Sequence, residues 1–257
     1  RHAERPRDRG AGTLMPTRLP RAILLGSLLA VSLLLPARAV ATFDEVRQAH
    51  ASSESLLLDR NGEALHRLRT NPQLRRGAWI TLDDVSPALR SAMLISEDKR
   101  FYQHGGIDWR AVGAAAWSNL RNERTRGAST ISMQLAGLID ADGLPGQRRS
   151  IVQKIGQAAT AQWLDGRWRK NEILEAYLNL VPFRGELVGI DALSRTLFGK
   201  AAHGLDEREA AITAALVRAP NAAPQQVGQR ACGILAQMRG SGTSEMLCDS
   251  LGLYATG

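Results

Sequence analysis

Ser96-Glu97-Asp98-Lys99-Arg100-Phe101-Tyr102-Gln103-His104-Gly105-Gly106 is the stretch on which the reading of this chain turns. It follows a short amphipathic helix. Ser86 has the N-cap chemistry and Pro87 the fixed φ suited to the first helical position. Leu89, Ala92 and Met93 recur at helical spacing and give an apolar stripe. Glu97 and Asp98 then fall where the helix stops and the chain turns. A carboxylate at such a junction is held by a rigid element and still faces a cleft. Most Glu-Asp pairs at helix ends are only solvated, so the pair alone does not decide.

Outward from this stretch the pattern stays helical. Asp108 caps a helix with Trp109, Val112, Ala116 and Leu120 on one face. Ser129 opens another with Ile131, Leu135 and Leu138, after the polar loop 122–127. The loop 140–146 leads to a helix with Ile151, Ile155 and Ala158. Asn171–Leu180, Asp191–Phe198 and a helix capped by Asp206 with Glu209 follow, the last ending before Pro220. A final amphipathic piece covers Val227–Met238, and the Gly/Ser-rich tail 240–257 reads as frayed. Upstream, Asn61-Gly62 between apolar runs predicts a β-hairpin, and Ala78–Leu82 a second short extended piece. Residues 44–55 read as polar linker. The domain is mainly α and holds a small β element.

The N-terminal part is different in kind. Residues 1–14 are basic and aperiodic, and Met15 reads as a start. Ala22 to Leu35 carry no charge, and the run extends to Phe43 if Arg38 snorkels. Two readings stand: an anchor with its basic side in the cytoplasm, or a signal peptide cleaved near Ala37-Arg38-Ala39. Both place the remainder beyond the cytoplasmic membrane.

A net charge of +8 over 257 residues suits an anionic membrane surface, a phosphorylated substrate or nucleic acid. No nucleic-acid motif is present, and only 5% of residues are aromatic, which argues against stacking on single strands. Cys232 and Cys248 make neither a metal site nor a disulfide framework; they are one late bridge or two free thiols. Scattered histidines have no metal-ligand spacing.

Three further stretches carry chemistry. Gly127-Ala128-Ser129-Thr130-Ile131 enters a capped helix whose free N–H groups suit an anion or a sugar hydroxyl, although an ordinary capped helix has the same look. Arg148, Arg149 and Lys154 place cations where phosphate oxygens can be held, or form a solvated basic face. Glu175 and Asn179 are four apart on a core-facing helix with Tyr177, which favours a structural role.

In this order the stretches resemble the motifs of the peptidoglycan glycosyltransferases, glycosyltransferase family 51. Glu97, Asp98, Phe101, His104 and Gly106 match the first motif, Glu-Asp-x-x-Phe-x-x-His-x-Gly. Gly127, Ser129, Thr130, Ile131 and Gln134 match the second, with departures at Ala128 and Met133. Lys154 matches the third, whose second lysine is Gly156 and whose closing glutamate is Gln157 here. An amide cannot serve as a carboxylate base, so Gln157 keeps only a hydrogen-bonding role. Ile173 to Asn179 match the fourth throughout, and Pro182-Phe183-Arg184-Gly185 follows. The wording looks like the penicillin-binding protein 1C branch. The Ser96-x-x-Lys99 match to penicillin-reactive enzymes is accidental, since Ser-Asp-Asn and Lys-Thr-Gly are missing.

The resemblance implies a lysozyme-like fold and polymerisation of lipid II onto a growing glycan strand, with inversion and release of undecaprenyl pyrophosphate. It makes Glu97 the general base. It makes Asp98, Arg100, Phe101, His104, Gly127, Ser129, Thr130, Gln134, Arg149, Lys154, Gln157, Glu175, Tyr177, Asn179 and Arg184 substrate contacts. A divalent cation such as Mg²⁺ assists at the pyrophosphate only if ligands exist, and no spacing supplies them. The implied divisions are a basic cytoplasmic N-terminus (1–21), an anchor or signal peptide (22–43), linker and β element (44–85), a glycosyltransferase domain (86–225) and a tail (226–257) with no transpeptidase domain. The implied place is the inner membrane of a bacterium, single-pass, with the domain on the periplasmic side near other cell-wall synthesis proteins. A glycan-cleaving lysozyme-like enzyme and a non-catalytic lipid II-binding scaffold are the alternatives.

Overall fold

The computed structural model describes residues 41–121, 129–140, 151–240, 248 and 251. The apolar run 22–40, the loops 122–128 and 141–150, and Gly127 and Arg149 with them, lie outside the described residues. Among those described, no helix is long and apolar enough to cross a membrane.

The described part begins with α1, Phe43–Ala49, which a capping box starts: Thr42 accepts from the Glu45 N–H and Glu45 reaches back to the Thr42 N–H. Sequence reading put Phe43 at the end of the apolar run and a linker after it. The Thr-x-x-Glu box overrides this, and the Phe43 ring packs edge-on against Trp79 and Trp168, with centroids 6.0 and 5.6 Å away. Phe43 thus belongs to the folded domain.

Strands β1, Glu54–Leu58, and β2, Ala64–Arg69, pair antiparallel from Glu54↔Arg69 to Leu58↔Ala64. The turn between them is longer than two residues. The Asp59 carboxylate accepts from the N–H groups of Asn61 and Glu63, and Gly62 sits at φ +84°. A second, minimal sheet joins β3, Arg75–Arg76, in parallel to β4, Leu187–Val188. The expected strand over Ala78–Leu82 does not form. Side chains take the place of a partner strand there: Asp191 accepts from the Ala78 N–H, and Asn179 both accepts from the Ile80 N–H and donates to its carbonyl. Glu175 accepts from the Leu82 N–H and from Trp79 Nε1, each at 2.8 Å.

The rest is helical: α2 Pro87–Glu97, α3 Trp109–Leu120, α4 Ile131–Asp140, α5 Ile151–Arg167, α6 Lys170–Leu180, α7 Ile190–Phe198, α8 Glu207–Arg218 and α9 Pro224–Arg239. Ser86 caps α2 through the Leu89 N–H, Asp206 and Glu209 form the capping box of α8, and Gly199 ends α7 in the left-handed conformation. Helix α6 is buried along most of its length, with Ile173, Leu174, Tyr177 and Leu178 fully enclosed. Helix α4 packs on α6 and α5 on α4, while α2, α8 and α9 form the other half of the same core.

Three expectations change. Trp109, placed on the apolar face of α3 with Val112, is 69% exposed. Asp108 caps that helix as expected through the Ala111 N–H, but the following tryptophan turns outward. The cap of α4 is Thr130 rather than Ser129: its hydroxyl accepts from the Met133 N–H and donates to the Gly106 carbonyl. Finally, the amphipathic piece expected over Val227–Met238 forms as α9 but packs with the domain rather than in a tail starting at 226: its Val227, Ala231 and Leu235 are fully buried against α8 and α2. Cys232 and Cys248 form one disulfide, and Leu251 is buried, so Cys248 and Leu251, assigned to a frayed tail, join the core.

Gly106 has φ +72°, and a Cβ there would lie 2.7 Å from the Ala161 carbonyl oxygen. Gly62 has φ +84° with open space around it. Gly62→Ala should cost about 1–2 kcal/mol, the penalty of the left-handed region alone. Gly106→Ala adds a backbone collision and should cost clearly more. Urea denaturation of both variants checks the order.

Candidate active site

Asp98 is the residue that ties the first motif to the second. It ends α2 as its C-cap, its N–H donating to the Leu94 carbonyl at 2.9 Å. Its carboxylate accepts from the Ile131 N–H at 3.1 Å, at the start of α4, where a negative charge meets unpaired helix N–H groups. His104 Nε2 lies 2.9 and 3.0 Å from its two oxygens. The loop after Asp98 is held from the other side by Asp165, whose Oδ2 accepts from the Gly106 N–H, the Ser132 hydroxyl and Lys170 Nζ. Phe101 is buried beneath Lys170, whose ammonium lies 4.5 Å from the ring centre.

With Asp98 fixed, Glu97 projects into a cleft of about 710 Å³. Its carboxylate is held at both oxygens. The Ser96 hydroxyl donates to Oε1 at 2.8 Å, and Gln134 Nε2 donates to Oε2 at 3.0 Å. Gln134 is set in turn by the Tyr177 hydroxyl, which donates to its Oε1 at 2.9 Å. Burial pushes the Tyr177 phenol well above its ordinary value, and the nearby Glu97 and Asp98 charges push the same way. Tyr177 is therefore a neutral donor at any working pH. A chain of three side chains from α6, α4 and α2 thus orients one half-buried carboxylate.

The cleft is lined by the end of α2, by Ser129, Thr130 and Gln134, by Asp108 and Ala111 at the start of α3, and by α8 and α9. Arg100 reaches Asp108 through both Nε and Nη2. Burial alone would raise the Asp108 carboxyl, but the Ala111 N–H and the Arg100 guanidinium outweigh it and hold it below its ordinary value.

Of the expected site residues, Glu97, Asp98, Arg100, Ser129, Thr130 and Gln134 line the cleft. Phe101 and His104 do not line it: Phe101 is buried in the core and His104 holds Asp98. Tyr177 acts from the core through Gln134. Glu175 and Asn179 do not line it; their side chains hold the 78–82 segment. Arg184 donates to the Ala222 carbonyl and is also outside the cleft, as is Gln157 on α5. Gly127, Arg149 and the side chain of Lys154 lie outside the described residues. Sequence reading missed Lys99, in the turn after α2, and Arg218, Gln229, Arg230 and Gln237, which line the cleft from α8 and α9. The polar face of α9 has no local mark that separates it from a solvated one.

Asp98, His104 and Asp108 place ligand atoms within 4.8 Å of one another. They do not fit a divalent cation. The Asp98 carboxylate is taken by a backbone N–H and His104, and the Arg100 guanidinium fills the cationic position beside Asp108.

An oriented carboxylate, that of Glu97, in a helical cleft whose walls carry cations suits an enzyme that acts on glycosyl groups. Residues 61–239 match the family model described as Transglycosylase, and the chain belongs to that family. It is 37% identical over 179 residues to the biosynthetic peptidoglycan transglycosylase of Pectobacterium atrosepticum, covering 67% of this chain and 71% of that one. It is 38% identical over 142 residues to the protein of the same name from Mannheimia succiniciproducens, covering 55% and 57%. The chain thus spans a little over half to about seven-tenths of these relatives. Penicillin-binding protein 1A of Haemophilus influenzae, a crystal structure at 2.6 Å, aligns with a TM-score of 0.39 at 19% identity, over 79% of this chain and 20% of that one.

Two variants test the geometry. Tyr177→Phe leaves Gln134 Oε1 without its donor in the core and should cost about 1–3 kcal/mol in urea denaturation. Tyr102→Phe, which removes an exposed hydroxyl, should stay within about 0.5 kcal/mol. For Asp108 the folded carboxyl sits below the unfolded one. Its stabilisation is complete above the unfolded value and is lost as pH falls through the folded one. Asp108→Asn should therefore flatten the acid limb of stability below pH about 4, read by thermal melts across pH.

Proposed function

We propose that this chain polymerises lipid II into glycan strands, with Glu97 as the general base. The observation that carries the reading is the Glu97 carboxylate, half-buried at the cleft and clamped at both oxygens by Ser96 and Gln134. Such a carboxylate is fixed in direction and still accessible, as a base must be. It takes the proton of the acceptor sugar's 4-hydroxyl. The oxygen attacks the anomeric carbon of the donor strand and the new C–O bond forms. The bond from that carbon to the lipid diphosphate breaks on the opposite face, and undecaprenyl pyrophosphate leaves with the electron pair, inverting the configuration. No second carboxylate is required, which agrees with Gln157 in place of the family glutamate.

Arg149 and Lys154 are assigned to the departing diphosphate, where cations stabilise the charge that develops. Ser129, at the entry to α4, is assigned to substrate hydroxyls. The substrate keeps its polyprenyl tail in a bilayer. We therefore place the domain on the periplasmic face of the bacterial inner membrane, with the apolar run 22–40 supplying a single-pass anchor or a signal peptide. The family, the +8 charge and the relatives' names support this reading.

The test is polymerisation of labelled lipid II by the purified chain beside Glu97→Gln. Glycan from the parent and a loss of about 10²–10⁴-fold in the variant supports the assignment. Equal glycan from both removes Glu97 from the role. Lipid II bound without turnover by a folded parent overturns the enzymatic reading.

A further inference from the structure

Helix α9 supplies much of one cleft wall and is poorly suited to stand by itself. It carries two interior glycines, Gly228 and Gly233, and glycine is among the weakest helix formers. Gly228 is buried, so its small size is used in packing. Gly233 is exposed, and nothing lies within 4 Å of a Cβ built on it, so no neighbour calls for a glycine there. It lines the cleft together with Ile234 and Gln237. The helix therefore has its weak point inside the wall. Beyond that point its side-chain polar ties to other elements, among the described residues, are the Lys99–Gln237 hydrogen bond and the ion pair of Arg239 with Glu207. Both are exposed, and exposed polar ties hold little.

Cys232 is the residue before Gly233, and its bridge to Cys248 clamps α9 at this weak point. Cys232 is two residues from Arg230 and five from Gln237. At about 3.6 residues per turn it sits nearly opposite them, so the clamp bears on the side of α9 away from the cleft. Just past Cys248, Leu251 is buried in the core, and the bridge thereby fastens α9 to a segment seated there. Both cysteines are half-buried rather than enclosed.

We propose that the Cys232–Cys248 bridge is a redox lock on the cleft wall, with Gly233 as the hinge beside it. With the bridge closed, the second half of α9 keeps Ile234 and Gln237 at the cleft. A dithiol reductant opens it. One thiolate of the dithiol attacks a bridge sulfur, the S–S bond breaks and the other cysteine leaves as a thiolate. The second thiolate of the dithiol then attacks the mixed disulfide and releases the first cysteine. Two electrons pass to the bridge, the dithiol becomes a disulfide, and its two protons end on Cys232 and Cys248. The residues past Gly233 then turn about the glycine, and the wall loses its fixed form. This rests on the function proposed above, both for what the cleft does and for where the domain lies. In the reducing cytoplasm the two cysteines are thiols; beyond the cytoplasmic membrane the bridge forms and persists. The wall is thus locked in the compartment where the substrate is used.

The experiment compares the full chain oxidised, reduced by dithiothreitol and reoxidised. Beside it stand Cys232→Ser/Cys248→Ser and the same pair with Gly233→Ala. Hydrogen exchange read by mass spectrometry follows residues 233–239 against α6, lipid II polymerisation gives KM and kcat, and circular dichroism confirms that each protein is folded. Reduction and the serine pair should each speed exchange of 233–239 about tenfold and leave α6 unchanged. KM should rise about tenfold with kcat falling far less, because the Ser96 and Gln134 hydrogen bonds to Glu97 lie outside α9. Reoxidation should restore the parent, the serine pair should ignore dithiothreitol, and Gly233→Ala should slow exchange again. Exchange of 233–239 unchanged on reduction overturns the lock. An equal rise in α6 overturns it too, since the bridge then braces the whole fold. Faster exchange that Gly233→Ala does not slow removes the hinge, and faster exchange with an unchanged KM removes the link to the cleft. A parent that makes no glycan, yet shows the expected exchange, keeps the lock and removes the enzymatic reading.

Discussion

The arrangement of this domain depends on one carboxylate, that of Asp98, and on what it accepts. It ends one helix, meets the first N–H of another and holds His104 in a single interaction set. Each of these groups would be costly to bury alone. Together they satisfy one another and fix the direction of the residue before Asp98, which is Glu97. The adjacency explains why two acidic residues stand side by side. One is spent on structure and is buried; the other is left to face the cleft.

The same economy recurs farther out. Asp165 gathers three donors from the motif loop, α4 and α6, and Glu175 with Asn179 stitches the 78–82 segment in the manner of a strand edge. Buried acidic and amide side chains here satisfy irregular backbone, which lets loops rather than regular sheet form the surroundings of the cleft. The Ser96, Gln134 and Tyr177 hydrogen bonds extend this outward to Glu97, so the orientation of the candidate base is set by the core.

The helices from α2 onward were legible because their signals are local: Ser86 with Pro87, Asp206 with Glu209, and Gly199 act within a few residues of where they stand. Glu97 and Gln134 were legible through motif spacing, and so was the hairpin at Asn61-Gly62. The 78–82 segment was misread as a strand because its extended backbone is real and its partners are side chains about a hundred residues away. Phe43 was misplaced because an apolar residue beside a long apolar run has the same composition in either role. Glu175 and Asn179 carry family motif wording, yet their contacts serve the scaffold; spacing identifies the residues without saying which way they face. Arg218 and Arg230 gave no signal at all. Only the packing of α8 and α9 on α2 brings them to the cleft.

That packing has a consequence for when the site comes into being. Glu97 and Gln134 lie in the first part of the domain, while the opposite wall is α9, about 130 residues later in the chain. Contacts so distant in sequence require closure of a long loop before they contribute. A chain emerging N-terminus first can order α2 and α4 around Asp98 early. It has no enclosed cleft until α9 docks. The nascent domain therefore passes through a stage in which its carboxylate is already aimed but has no pocket in which to act.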